Sequence, residues 1–185
     1  SETMTWVPEG FKAMGPAILI LTFAWTLKAM TDSLGAAEYV AGVVETAAGG
    51  FLHLLPAIIF VVGCLLAFAT GTSWGTFGIL IPIVVAVFQG TNETMMIISI
   101  SACMAGAVCG DHCSPISDTT IMSSAGAQCN HVNHVTTQLP YAVTCAVVSF
   151  VAYIIAGFVQ NPFICLPIGI IMMVGTLAVI KKINA

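Results

Sequence analysis

Between Leu52 and Ile180 the chain holds only three formally charged residues, Glu93, Asp111 and Asp118. A water-facing domain carries about a quarter charged residues, so a surface built from this stretch cannot be an ordinary soluble one. Apolar runs recur at 13–27, 54–69, 77–88, 95–109, 139–159 and 163–180. The last two reach the ~18–20 residues that span a bilayer as one helix. The others are shorter or are cut by Gly and Pro. The pattern predicts an all-α fold, a polytopic membrane helix bundle of about five or six segments. A transmembrane β-barrel would need ~10-residue segments of strict alternation. "IIFVVGCLLAFA" and "VVSFVAYIIAGFV" are instead apolar on every side.

The same scarcity excludes other classes. With no arginine and a net charge of −4, the chain offers no basic patch for nucleic acid. Its seven cysteines are an odd number, mostly within or beside apolar runs, and read as small buried hydrophobes rather than a disulfide framework. Residues 1–12 carry Glu2, Glu9 and Lys12 and lack the pattern of a signal peptide. A chain beginning at Ser is expected to be a piece cut from a longer protein.

Residues 1–10 read as a polar lead-in, with Trp6 suited to the headgroup level. A first helix is predicted from Phe11 to about Met30, with Pro16 near its start and Lys28 and Asp32 spaced to pair. Residues 33–50 form a candidate amphipathic connecting helix, Glu38 and Glu45 being its solvated face. "QGTNET" (89–94) reads as a surface turn, and 122–140 as a polar return to the interface. Lys181 and Lys182 suggest a cytoplasmic C-terminus.

Two polar breaks interrupt short apolar runs: "TGTSWGT" (70–76) and "GDHCSPISDTT" (110–120). In lipid every backbone polar group must be satisfied, so irregular chain at membrane depth has to face protein or a water-filled cavity. Paired Gly/Pro-interrupted hydrophobic segments are the sequence mark of a secondary transporter's midplane site. Gly71 and Gly75 break the first run, Gly110 and Pro115 the second. A hard cation wants oxygen ligands. Thr72 and Ser73 offer them in one break; Asp111, Ser114, Ser117, Asp118 and Thr119 offer them in the other. A single site would place Thr72 or Ser73 beside the aspartates.

Pro115 disfavours a continuous helix and pushes Ser114 out of the α region. Ser114 then becomes the expected N-cap of a new half-helix whose first turn contains Asp118. A carboxylate inside a membrane costs ~2.5 kcal/mol or more, which makes the aspartates functional candidates. Burial favours the protonated form of Asp118 and a helix N-terminus favours its anion. Asp118 is therefore the expected coupling carboxylate, with Asp111 shaping the site. Two rivals stay on the table: a structural metal site from Cys109, His112, Cys113, Cys129, His131 and His134, whose spacing fits no standard zinc signature, and a hydrolase, for which no nucleophile elbow is present.

"LGAAEYV", "GTSWGTFGILIPI", "GDHCSPISDTTIMSS" and "AQCNHVNHVTTQLPYA" together resemble the NhaC-type Na⁺/H⁺ antiporters of bacteria, in matching order over about residues 20–150. The resemblance implies a multi-pass inner-membrane exchanger built from two inverted repeats with re-entrant hairpins, of which residues 1–185 hold one repeat, the C-terminal half. It implies transported Na⁺ and H⁺ and no cofactor. It carries over Asp111, Ser114, Ser117, Asp118 and Thr119, with Thr72 and Ser73, as ion-handling candidates, Na⁺ lying at Asp118 and Asp111. The expected partners are the lipid bilayer and the missing amino-terminal half, and a homodimer stays open. Because the family also exchanges organic acids, malate or lactate antiport coupled to Na⁺ or H⁺ is the alternative substrate class. A non-transporting membrane module with a Cys/His metal site is the alternative of another class.

Overall fold

The computed structural model describes residues 2–35, 52–88 and 92–183. Among them every regular element is helical: α1 Glu2–Ser33, a 3₁₀ turn Leu52–Leu54, α2 Leu55–Thr70, α3 Ser73–Phe88, α4 Glu93–Cys113, α5 Asp118–Gly126, α6 His131–Val159 and α7 Pro162–Ile183. The all-α membrane bundle expected from the apolar runs is the fold observed. Among the described residues four helical stretches are long and apolar enough to cross a bilayer: Leu52–Thr70, Glu93–Cys113, His131–Val159 and Pro162–Ile183, against the five or six segments expected of the whole chain. α3 has only 16 residues, a length of about 24 Å at 1.5 Å per residue against a hydrocarbon core of ~30 Å.

α1 begins at Glu2, which corrects both the polar lead-in at 1–10 and the helix start at Phe11. Pro8 and Pro16 each remove one amide donor, but neither ends the helix. At the other end the Ser33 hydroxyl donates to the Met30 carbonyl (2.7 Å), and Gly35 turns the chain at φ +74. The remainder of the connecting helix expected at 33–50 lies outside the described residues, as do 89–91 of the "QGTNET" turn and the Lys28 and Asp32 side chains. Asn92 caps α4, its side chain accepting from the Met95 amide at 3.0 Å.

Packing centres on α2, α3 and α4. Leu55, Ile59 and Leu66 of α2 meet Leu80, Val84 and Phe88 of α3 and Met95 and Cys103 of α4 in one buried cluster. Lipid gives apolar side chains no reason to leave it, so close backbone approach has to hold membrane helices together. Here it comes from Gly106 and Gly110, one turn apart on α4. A Cβ at the first would collide with the Phe60 carbonyl, and at the second with the Cys64 carbonyl. From α2 the contact is returned by Gly63, whose missing Cβ would lie 3.3 Å from the Ala107 nitrogen. This tight pair carries the ends of α2 and α4, and so both breaks, to the same place.

Candidate functional site

The first break is narrow. Gly71 takes the left-handed conformation (φ +66) that ends α2, and its amide returns to the Ala67 carbonyl at 2.8 Å. Thr72 follows, and α3 has begun by Ser73. "TGTSWGT" is thus unwound over two residues rather than seven, and Gly75 stands in the first turn of α3 instead of in the break. The polar residues expected to be unwound cap the second helix. The Thr72 hydroxyl accepts from the Gly75 amide (3.5 Å) and the Thr76 hydroxyl donates to the Thr72 carbonyl (3.0 Å).

The second break runs over Ser114–Ser117. Gly110 is not part of it: α4 continues through Cys113, and the glycine serves the contact with Cys64. Ser114 is extended (ψ 127), as a residue before proline is driven to be. The cap of the new helix is Ser117, not Ser114. Pro115 and Ile116 form a turn, the Ser117 side chain accepts from the Thr120 amide (3.4 Å), and Asp118 is the first residue of α5.

The two breaks touch. A helix leaves its last four carbonyls without intrahelical donors, and the other break reaches the end of α2 at two carbonyls, Phe68 in its last turn and Gly71 at its cap. Ser114 donates its hydroxyl to the Phe68 carbonyl at 2.8 Å. The Asp118 amide, an orphan donor at the start of α5, reaches the Gly71 carbonyl at 3.4 Å. A Cβ at Gly71 would lie 2.6 Å from the Ile116 carbonyl, so only glycine permits this approach. The Ser114 hydroxyl and the Asp118 amide, rather than the Thr72 or Ser73 hydroxyls, make the junction. Among the described residues no hydrogen bond joins either hydroxyl to an aspartate.

Asp111 lies in the last turn of α4 with 2% of its surface exposed. Its carboxylate is ringed by hydroxyls: Ser117 Oγ is 2.7 Å from Oδ1, Thr119 Oγ1 is 3.1 Å from Oδ2, and the two hydroxyl oxygens are 2.7 Å from each other. Three contacts need three positive hydrogens, and two hydroxyls supply two. With Asp111 ionised, one pair of oxygens faces lone pair to lone pair. A proton on Asp111 closes the ring as three hydrogen bonds. Carboxylate and hydroxyl oxygens are also the kind of ligand that hard cations take.

Asp118 is less enclosed. α5 is not among the membrane-spanning helices. There, burial pushes the Asp118 carboxyl above its usual range; the Thr119 amide pulls the other way, and repulsion from Asp111 adds to the rise.

The sequence offers His131 only as a candidate zinc ligand, yet it braces this site. Its Nε2 lies 2.6 Å from the Pro115 carbonyl and its Nδ1 3.0 Å from Ser124 Oγ on α5. The signal available in the sequence was Asn130, whose side chain caps α6 through the Asn133 amide (3.0 Å) and fixes His131 in the first turn. Among the described residues no group of three or more His, Cys, Asp or Glu is arranged to hold a metal ion. Cys109, His112, Cys113, Cys129, His131 and His134 therefore do not assemble the zinc site that their spacing left open.

The profile of the Na⁺/H⁺ antiporter family matches residues 1–158. An uncharacterized protein of Haemophilus influenzae is 49% identical over 158 residues, 85% of this chain and 30% of that protein. The malate-2H⁺/Na⁺-lactate antiporter of Bacillus subtilis is 29% identical over 125 residues, 65% of this chain and 26% of its own length. The arginine/ornithine antiporter ArcD of Halobacterium salinarum is 30% identical over 116 residues, 60% and 24% of the two chains. The chain thus spans under a third of the length of these relatives. No solved structure matches it.

Proposed function

We propose that this chain, which belongs to the Na⁺/H⁺ antiporter family, forms the ion-handling part of a secondary transporter that exchanges Na⁺ for H⁺, and that Asp111 is the carboxylate at which the two compete. The observation that carries this reading is the ring of Asp111, Ser117 and Thr119, with its three contacts and two hydroxyl protons. A site completed by one proton or one cation, but not by both, is what antiport requires. Each direction of alternating access then carries one occupant. This moves the coupling role from Asp118, where the sequence placed it, to the more enclosed aspartate. Asp118 flanks the ring and, with its carboxyl pushed up by burial, is suited to passing protons toward it.

The setting follows the same logic. We place the protein in the bacterial inner membrane, with Lys181 and Lys182 on the cytoplasmic side. In this reading the rest of a longer transporter completes the site.

Organic-acid exchange is the second reading, favoured by the likeness to the malate/lactate antiporter. Against it stands the absence of any Lys or Arg between Leu52 and Ile180, which leaves an organic carboxylate without a strong cationic partner in this segment. Vesicles containing the full-length transporter separate the two. The proposal expects Na⁺-driven proton movement with no organic solute present. Movement that appears only on adding malate or lactate would establish the second reading instead.

A further inference from the structure

Where α2 and α4 press closest, sulfur meets sulfur. Gly110 lacks the Cβ that would collide with the Cys64 carbonyl, and Cys109 stands beside it in α4. This approach brings the Cys64 and Cys109 thiols, on different helices, within hydrogen-bonding reach of each other. Cys113, one turn further along α4, adds a third thiol next to Cys109. All three are half-buried, whereas Cys103 is sealed in the core. A single cysteine in an apolar helix is accounted for as a small hydrophobe. Thiols that converge across a helix pair carry chemistry that one thiol does not.

We propose that Cys64 and Cys109 form a modification site, a dithiol that an uncharged two-electron oxidant of the halogen or hypohalous class converts to a disulfide joining α2 to α4. In the first step one sulfur takes the halogen and loses its proton, which leaves as hydrogen halide or, from a hypohalous acid, in water. The second sulfur then attacks the first. The S–S bond forms, the sulfur–halogen bond breaks, and halide and the second proton depart. The two thiols give up two electrons and two protons, and the oxidant is reduced to halide.

The surroundings select both the oxidant and the pair. No Lys or Arg lies between Leu52 and Ile180, so no cationic side chain of this segment draws in a charged reagent or holds a thiolate ready for one. Cβ atoms one helical turn apart are ~5–6 Å from each other, whereas a disulfide needs them ~3.5–4.5 Å apart. α4 holds Cys109 and Cys113 at the wider spacing, and they bridge only if the helix unwinds. Cys64 belongs to another helix and is free of that limit. The bridge closes beside the glycine contact that carries both breaks to one place, and fixes α2 to α4 covalently there.

The test uses the purified full-length transporter in detergent and needs no transport, so its result stands apart from the antiporter reading. The protein is treated with a limited amount of molecular iodine, digested with pepsin without reduction, and mapped by mass spectrometry. A peptide pair joining Cys64 to Cys109 is the expected result, and dithiothreitol is expected to separate it again. Cys113→Ser is expected to keep this bridge and Cys64→Ser to lose it. Because a cross-link constrains the unfolded chain, the oxidised protein is expected to unfold several degrees higher than the reduced one. Cys64 and Cys109 both left free while the exposed Cys129 or Cys145 reacts with iodine overturns the proposal. A bridge from Cys109 to Cys113 in its place overturns it as well. Should Cys64→Ser fail to fold, the wild-type and Cys113→Ser maps decide alone.

Discussion

Ser114 holds the end of α4 to the end of α2 through one hydrogen bond, its hydroxyl donating to the Phe68 carbonyl at 2.8 Å. Ser114 is fully buried, so removing the donor leaves that carbonyl without a partner in an apolar setting. Such a loss costs about 1–3 kcal/mol. Ser114→Ala is therefore expected to lower the unfolding temperature of the purified transporter by several degrees, roughly 2–4 °C per kcal/mol. Ser114→Thr, which keeps the hydroxyl, provides the control. Equal stability of Ser114→Ala and wild type in detergent would show that the junction does not depend on this bond.

The glycines of α4 make a steric prediction. Any side chain at Gly106 or Gly110 strikes backbone carbonyls of α2, which cannot step aside as a flexible side chain can. Gly110→Ala is expected to cost at least about 1–3 kcal/mol and to separate the two breaks. Gly78→Ala, in α3 where nothing lies within 4 Å of the added atom, is expected to be tolerated. Thermal unfolding of the two variants side by side checks the contrast.

A third prediction follows from burial at Asp118. A carboxyl whose folded-state range is raised binds its proton longer in the folded protein than in the unfolded one. Its stabilising contribution is present below the ordinary aspartate range, about pH 4, and is lost as pH climbs through the raised value. Asp118→Asn removes that loss. The variant's melting temperature is expected to match wild type near pH 4 and to rise relative to it toward pH 7. A difference that shrinks with rising pH would mean that hydrogen bonds to the Asp118 anion outweigh its burial.

Much of this was legible in the sequence because it follows from the solvent. A run with three charges in "LHLLP…TLAVI" has to be a membrane bundle, and Pro115 has to interrupt a helix, whatever surrounds them. Other features depend on contacts that no local pattern reveals. Ser114 looked like the cap because it precedes a proline; the turn at Pro115–Ile116 delays the helix, and the cap passes to Ser117. Gly75 and Gly110 looked like breaks, since glycine weakens any helix taken alone; one sits in a capped first turn, the other where α2 leaves no space for a Cβ. The bracing by His131 joins residues 16 and 7 positions apart in the chain, and it crosses from one helix to another, where periodicity within a single helix does not apply. The sequence ranks Asp118 above Asp111 from its place at a helix start, and no local pattern reveals the hydroxyls that surround Asp111.

The hydroxyls of the ring make a graded prediction. A hydrogen bond to a charged group contributes ~1.5–3 kcal/mol. Ser117→Ala is accordingly expected to raise the Na⁺ concentration for half-maximal exchange by about 10- to 100-fold. Thr119→Ser, which retains the oxygen, is expected to stay within about threefold of wild type. Sodium titration of proton flux in vesicles reads both, and an unchanged sodium requirement in Ser117→Ala would remove Ser117 from the site.

Most direct of all is Na⁺-driven proton flux by Asp111→Asn, followed with a pH-sensitive dye in vesicles containing the full-length transporter. Asparagine keeps the size of the side chain but can neither give up a proton nor balance a cation. Flux is expected to vanish while the protein still inserts and folds, and Asp118→Asn is expected to retain a measurable rate. Full exchange by Asp111→Asn, with loss in Asp118→Asn, would contradict the account and return the coupling role to Asp118.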